Sequence, residues 1–427
     1  MITPARSSFP SLHTVGVMSG IAAGAWLGSA EAPTKLVTMG FSPFVISLGM
    51  VMGVFVARWT IPVALKGTSY VFDDLRQKPH LIVWGIVAGM LWAVANTLTV
   101  FAIRDVGLSI AFPLWNLNSL IGMFWGWLLF NELRGSGSRQ RRIVLGGAAA
   151  IVIGACLLAY ATTNHNSSAN REAATLGILA ACGAALLWGT MYIPYRKAYI
   201  SGMNPLSFVT VFTIGELGTV FAVAAIFDGG AANVLDSLAQ AKPVLFWLFL
   251  GGFCWVIGDL FQQYAAKYIG ISRGIPLSNT NQLWGLAWGA LVFGELANMS
   301  GSATFVVGGS LIMIVGAVAI TFAEAPADEQ WHWRQAMERE CARYGLDREQ
   351  VAAAVTGSDA RDGVRTRARS WELLIVAAAI SIFVWLGLNA RSPGMEVDRP
   401  WMLVIVVASL ALLVTAVAVL WKRTRFS

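Results

Sequence analysis

The sequence predicts an all-α polytopic membrane protein: a ten-helix inverted repeat, five spans and five, followed by two extra C-terminal spans, with both termini inside. Three observations predict it. Of the 427 residues 56% are hydrophobic and only 12% charged, against a charged fraction of about 25% in soluble domains. So little charge cannot clothe a soluble core of this size. Twelve apolar runs approach or exceed the roughly 20 residues that a helix needs to cross about 30 Å of hydrocarbon. Finally, one long stretch aligns with a later one without a gap. Collagen, disordered and soluble-enzyme classes are excluded by composition alone.

The runs place spans near 12–30, 41–65, 80–103, 107–130, 142–162, 175–195, 205–227, 243–267, 272–294, 302–323, 371–389 and 401–421. They are long and continuous, unlike the ten-residue alternating segments of a membrane β-barrel. The first run, with Arg6 before it and Gly28-Ser29-Ala30 after it, has the outline of a signal peptide. That reading is set aside because the sixth span repeats its pattern. With the N-terminus inside, 24 of the 30 Lys and Arg fall on inner segments and 6 on outer ones. This bias places both termini in the cytoplasm under the positive-inside rule. The expected location is the bacterial inner membrane. The net charge of +7 is then topological, and no nucleic-acid partner is expected.

Self-similarity carries the most information. Residues 84–133, shifted by 163, match 247–296 with 18 identities in 50. Shared positions include Trp92/Trp255, Gly89/Gly252, Pro113/Pro276, Asn116/Asn279, Asn118/Asn281, Trp125/Trp288 and Glu132/Glu295. The first span matches the sixth and the fifth matches the tenth at nearly the same shift. The units expected are 1–173, 174–323, a cytoplasmic helical linker 324–370, and two spans with a basic tail, 371–427. Five spans per unit is odd, so the halves cross in opposite directions, the architecture typical of secondary carriers with a midplane site.

Polar residues inside spans mark candidate sites. Asn118, Gly122, Trp125 and Glu132 share one helical face, and Asn281, Gly285, Trp288 and Glu295 repeat it. Pro113 and Pro276 lie about two turns inside these spans, where a proline favours a break; freed backbone near Asn116 and Asn279 would face a ligand. The competing reading is that the Asn residues only bond across helices. Trp92 with Asn96, and Trp255 with Asp259, stand four apart, with Gln262 and Gln282 nearby. These residues predict two polar layers bracketing the midplane. An aromatic floor ringed by Asn, Asp and Gln suits a neutral sugar, although Trp also serves as an interfacial anchor. Glu216 lies near the centre of its span without a repeat counterpart. With Asp259 it is the candidate carrier of a coupling proton, the alternative being a neutral carboxyl bonded to a neighbouring Thr. Gly16, Gly20, Gly24 and Gly28 form a small-residue packing stripe. Arg58 with Trp59 reads as an anchor snorkelling to the interface. Glu132 and Glu295 read as rim carboxylates, solvated or gating. The four Cys and four His form no metal-ligand or catalytic spacing, so no catalytic residue, cofactor or metal is expected.

Three segments carry a family resemblance: "DLFQQYAAKYIGISRGIPLSNTNQLWGLAWGALVFGEL" (259–296), "NTLTVFAIRDVGLSIAFPLWNLNSLIGMFWGWLLFNEL" (96–133) and "GTMYIPYRKA" (189–198). They resemble the drug/metabolite transporter superfamily, within it the glucose/ribose porter (sugar uptake) family, and more distantly the rhamnose–proton symporter. The resemblance covers 12–323. It implies ten helices, an inside N-terminus and monosaccharide uptake with proton coupling, to which the inverted repeat adds alternating access. The rivals are an exporter of the same fold and a non-transporting membrane sensor. Expected partners are a small neutral sugar, a proton and membrane lipid; a homodimer is compatible with the reading. Residues 324–427 depart from the family pattern. Helices are expected at 328–343 and 347–355, with Trp331, Trp333, Met337 and Tyr344 placed to dock on membrane or partner unless the segment is a plain linker.

Overall fold

In the computed structural model, residues 10–35, 37, 41–106, 111, 114–163, 171–294, 303–358, 369–391 and 397–427 are described. Among them every regular element is helical. Among the described residues nine helices are long and apolar enough to cross a membrane, so the chain is a multi-pass membrane protein.

The helices are α1 (Leu12–Lys35), α2 (Pro43–Lys66), α3 (Thr68–Gln77), α4 (His80–Val106), α5 (Asn118–Phe130), α6 (Ser138–Thr163), α7 (Arg171–Ile200) and α8 (Pro205–Phe227). They continue with α9 (Ala231–Gln240), α10 (Lys242–Ile269), α11 (Ile271–Ser278), α12 (Asn281–Ala287) and a π-helical turn (Trp288–Val292). Last come α13 (Ala303–Thr321), α14 (Ala327–Tyr344), α15 (Arg348–Val355), α16 (Ser370–Asn389) and α17 (Arg399–Thr424).

Local chemistry sets the ends. Ser42 caps α2 by accepting the Val45 N–H, with Pro43 at the first helical position, where its missing N–H costs nothing. Asn204 and Pro205 start α8 in the same way. Gly67 and Gly270, at φ 84° and 81°, stop α2 and α10 in a conformation that side chains with a Cβ disfavour.

Two expected spans are interrupted. Over 107–130 the described chain turns at Asn116-Leu117 before α5 begins at Asn118. Over 272–294, α11 ends at Ser278, Asn279-Thr280 form a turn, and α12 runs into the π-helical turn. Pro276 lies inside α11, three residues before the break. Pro113 and Glu295 lie outside the described residues. The first expected span is helical as α1, but Gly, Ser, Thr and His dilute its apolar character, and it is not among the nine.

Helix pairing sets the core. α1 packs on α10, α4 on α7, and α6 on α13. α2 touches both α8 and α10, and α8 also touches α4. The stripe of Gly16, Gly20, Gly24 and Gly28 lies against Ile269, Leu277, Thr280 and Asn281, so α1 is held tight to the break between α11 and α12. α16 and α17 pack on the outside, against α2 and α10 and against α1.

Candidate functional site

Four glycines fix the crossing at the centre. A Cβ on Gly89 would collide with the Phe212 carbonyl, and one on Gly215 with the Ile86 carbonyl. Gly53 and Gly252 meet the Phe249 and Met50 carbonyls in the same way. Thus α4 meets α8, and α2 meets α10, backbone to backbone. Close approach of this kind is what small residues permit between membrane helices.

The crossings bring three charges together. Arg58 of α2 donates through Nη1 to Glu216 Oε2 of α8 at 2.8 Å and through Nη2 to Asp259 Oδ2 of α10 at 2.7 Å. All three side chains are 0% exposed. Tyr195 of α7 donates to Asp259 Oδ1 at 2.9 Å, and Gln263 Nε2 donates to Oδ2 at 2.8 Å. Tyr199 in turn donates to Gln263. The Phe212 ring lies 3.9 Å from the guanidinium and that of Trp255 5.4 Å away. Desolvating a charge costs several kcal/mol (order of magnitude) unless partners compensate, and here each charge has at least one. Two carboxylates share a single guanidinium. One added proton would leave a one-to-one pair.

Arg58 therefore corrects the expectation of a snorkelling anchor. It points inward because Glu216 and Asp259 on facing helices neutralise it. The residues missed by sequence reading are Arg58, Tyr195, Tyr199 and Gln263. Two signals were present: a lone basic residue well inside a span when two other spans each carry an acid, and tyrosines at 192, 195 and 199 on one helical face.

The remaining expected site residues fall into separate groups. Trp92 and Trp255 meet edge to face at 4.8 Å beside the cluster, and Trp92 Nε1 is buried without a protein partner among the described residues. Asn96 donates to Ser47 Oγ at 2.8 Å. Gln262 donates to Ser278 Oγ at 2.6 Å. Asn279 Nδ2 donates to Asn118 Oδ1 at 3.3 Å and to the Asn116 carbonyl at 3.4 Å. Asn281 opens α12 with Gln282 buried next to it. Two separate polar layers are not what forms: the two breaks meet each other, joining Asn116, Asn118 and Asn279. Asp259 belongs instead to the Arg58 cluster.

One end of the bundle holds a second charged assembly. Glu132 is fully buried; it accepts from the Ile271 and Ser272 N–H groups at 3.1 and 2.8 Å and pairs with Arg196 at 2.9 Å. It is no solvated rim carboxylate, because the free N–H groups that open α11 need an acceptor there. Glu329 of α14 receives Arg273 on both oxygens at 2.7 and 2.8 Å, the Leu133 N–H at 3.0 Å and the Ser136 hydroxyl. Burial pushes the Glu329 carboxyl up, but Arg273, Ser136 and the Leu133 N–H together hold it below its ordinary value. Its contribution to stability is thus present above the usual Glu value of about 4.3 and is lost as pH falls through the lower folded value. Lys197 pairs with Glu340 at 2.8 Å, Trp333 lies under Arg196 at 4.9 Å, and Tyr344 stacks on His80 at 3.8 Å. Residues 327–344 are thus no free linker: they dock on the protein's own membrane helices, while Trp331 stays exposed.

Comparison with known proteins bears on both halves. Residues 36–184 match the model of the family described as sugar transport protein, and residues 175–322 that of the EamA-like transporter family, part of the drug/metabolite transporter superfamily. A "Putative sugar uptake protein" of Streptococcus pyogenes serotype M6 is 24% identical over 286 residues, which cover 66% of this chain and 90% of that one. One from Lactiplantibacillus plantarum is 26% identical over 293 residues, covering 65% and 90%. A third, from Listeria monocytogenes, is 30% identical over 156 residues, covering 36% and 49%. The matched region holds Arg58, Glu216, Asp259 and both tryptophans, and through it the chain is similar to the sugar-uptake proteins of the drug/metabolite transporter superfamily.

Proposed function

We propose that this protein is a secondary carrier that takes up a neutral monosaccharide, coupled to a proton, by alternating access. The observation that carries the reading is the buried Arg58–Glu216–Asp259 cluster beside the Trp92–Trp255 pair. Ionisable residues inside a membrane bundle are characteristic of proton and substrate pathways. Trp255, only partly buried, has an apolar face suited to a sugar ring, and the buried Trp92 Nε1 offers an unused donor. In this reading Glu216 or Asp259 accepts the proton, Arg58 keeps the other carboxylate paired, and the Asn116, Asn118 and Asn279 junction is where the broken helices flex.

The halves are residues 1–173 and 174–323, inverted relative to each other, followed by the 324–370 segment and two extra spans, 371–427. Three features support this. The self-alignment exchanges Gly89 with Gly252, and the facing pair Gly53 and Gly215 stands at nearly the same shift. The pairing of α1 with α10 mirrors that of α7 with α4. The contact of α1 with α12 mirrors that of α7 with α5. Both termini lie on the cytoplasmic side of a bacterial inner membrane by the Lys/Arg bias.

Uptake of radiolabelled glucose, ribose, rhamnose and a non-sugar into proteoliposomes, with and without an acid-outside gradient, tests the reading. Saturable sugar uptake raised by the gradient, and no longer raised by it in Glu216→Gln, is expected. Gradient-independent sugar flux would remove the proton role. No sugar flux from folded protein would sink the carrier.

A further inference from the structure

Both family matches stop before residue 323, and the central cluster gives the rest of the chain no task. Yet α14 is tied to the bundle at one end, and the ties have an unusual character. Only Glu329, Ala336 and Cys341 of its residues are buried, so little apolar area holds it. Glu329 instead clamps two separate regions. Its carboxylate takes the Leu133 N–H and the Ser136 hydroxyl from the turn after α5, and the Arg273 guanidinium from α11. Arg273 Nε also donates to the Ala323 carbonyl at 2.6 Å, which fixes the chain entering α14. A second tie, Lys197–Glu340, reaches α7.

Directly beneath, Glu132 of the first matched region seals the start of α11 and the end of α7 in the second. The Glu329 clamp spans the same seam. We propose that α14 is a latch: docked, it pins this seam shut, and the protein opens at this end only when the latch lifts. A helix held by a few charge-assisted bonds suits reversible docking, since each bond is strong when formed and re-solvates on release. The proposal uses the alternating-access reading for its consequence, but the docking itself is measurable without any transport.

Cys341 is a native reporter, 2% exposed while α14 is docked. In protein with Cys156, Cys182 and Cys254 changed to Ser, labelling of Cys341 by a charged maleimide in detergent or inside-out vesicles reads latch release. Glu329→Gln is expected to raise the rate roughly tenfold, within the usual range of coupling between sites. A second reporter, Ser272→Cys in a Cys341→Ala background, reads the seam, because Ser272 is fully buried. Its labelling is expected to rise with the same substitution. If Cys341 becomes reactive while Ser272→Cys stays protected, α14 is a passive strut and the latch is overturned. If Glu329→Gln leaves Cys341 protected, the clamp does not hold the helix and the proposal also falls. Should Glu329→Gln not fold, Glu340→Gln, which cuts only the part-exposed tie to Lys197, must still raise Cys341 labelling. Absence of sugar flux with both labelling results as expected would sink the carrier reading alone.

Discussion

Asn96 and Asp259 stand at matching places in the self-alignment, on helices that cross their neighbours through the same glycine-to-carbonyl contacts. The first is neutral and makes one bond to Ser47. The second sits in a network of Arg58, Glu216, Tyr195 and Gln263. The two aligned stretches share a scaffold, and the chemistry sits where their sequences differ. Val54, the counterpart of Glu216, and Val220, near the counterpart of Arg58, are both buried and apolar. The charged residues therefore come as a set: an acid alone on one copy would have carried the whole cost of burial.

The largest test removes the shared cation. Arg58→Gln leaves two carboxylates facing each other in a buried site, and breaking such a pair costs about 3–5 kcal/mol. A large drop in Tm in detergent is expected. The triple variant with Glu216→Gln and Asp259→Asn should regain most of it, since no uncompensated charge remains. An unchanged Tm in the single variant would mean that the cluster contributes nothing as an ion network.

A smaller effect sharpens what the two regions share. Ala at Gly89 or at Gly252 places a methyl group against a facing carbonyl that has no flexible side chain to yield. Overpacking of this kind costs about 1–3 kcal/mol. The two variants should lose similar amounts of stability, because the scaffold is common to both copies. A loss confined to one of them would show that the crossings are not equivalent.

Hydropathy and self-alignment made most of the helices legible, and with them Glu216 and Asp259 of the central cluster. They did not reveal how partners pair across helices. Arg58 looked interfacial because Trp59 follows it and a long basic side chain can snorkel; only the facing acids turn it inward. Glu132 looked exposed because nothing in its own helix says that α11 begins with free N–H groups beside it. The docking of α14 was hidden for the same reason: Glu329 is one acid among several in a polar segment until Arg273 is brought to it. Periodicity reports a helix's own face, whereas these three depend on what a distant segment presents.

The smallest expected effect concerns Asn96 itself. Asn96→Ala removes one neutral bond to Ser47 at 2.8 Å, and such bonds between membrane helices average about 0.6 kcal/mol. Its Tm should therefore stay close to that of the unsubstituted protein. Asp259→Ala at the matching position strips Arg58 of one partner and leaves Tyr195 and Gln263 without their acceptor. It should lower Tm several times more and abolish any gradient-driven uptake. The decisive exchange is Asn96→Asp, which puts the acid into the first copy without a guanidinium to receive it. If that variant were as stable as the starting protein and gained a second proton-dependent step, charge alone would make the site. The expected result is destabilisation with no new coupling, because Arg58 is engaged by Glu216 and Asp259, whereas position 96 faces Ser47.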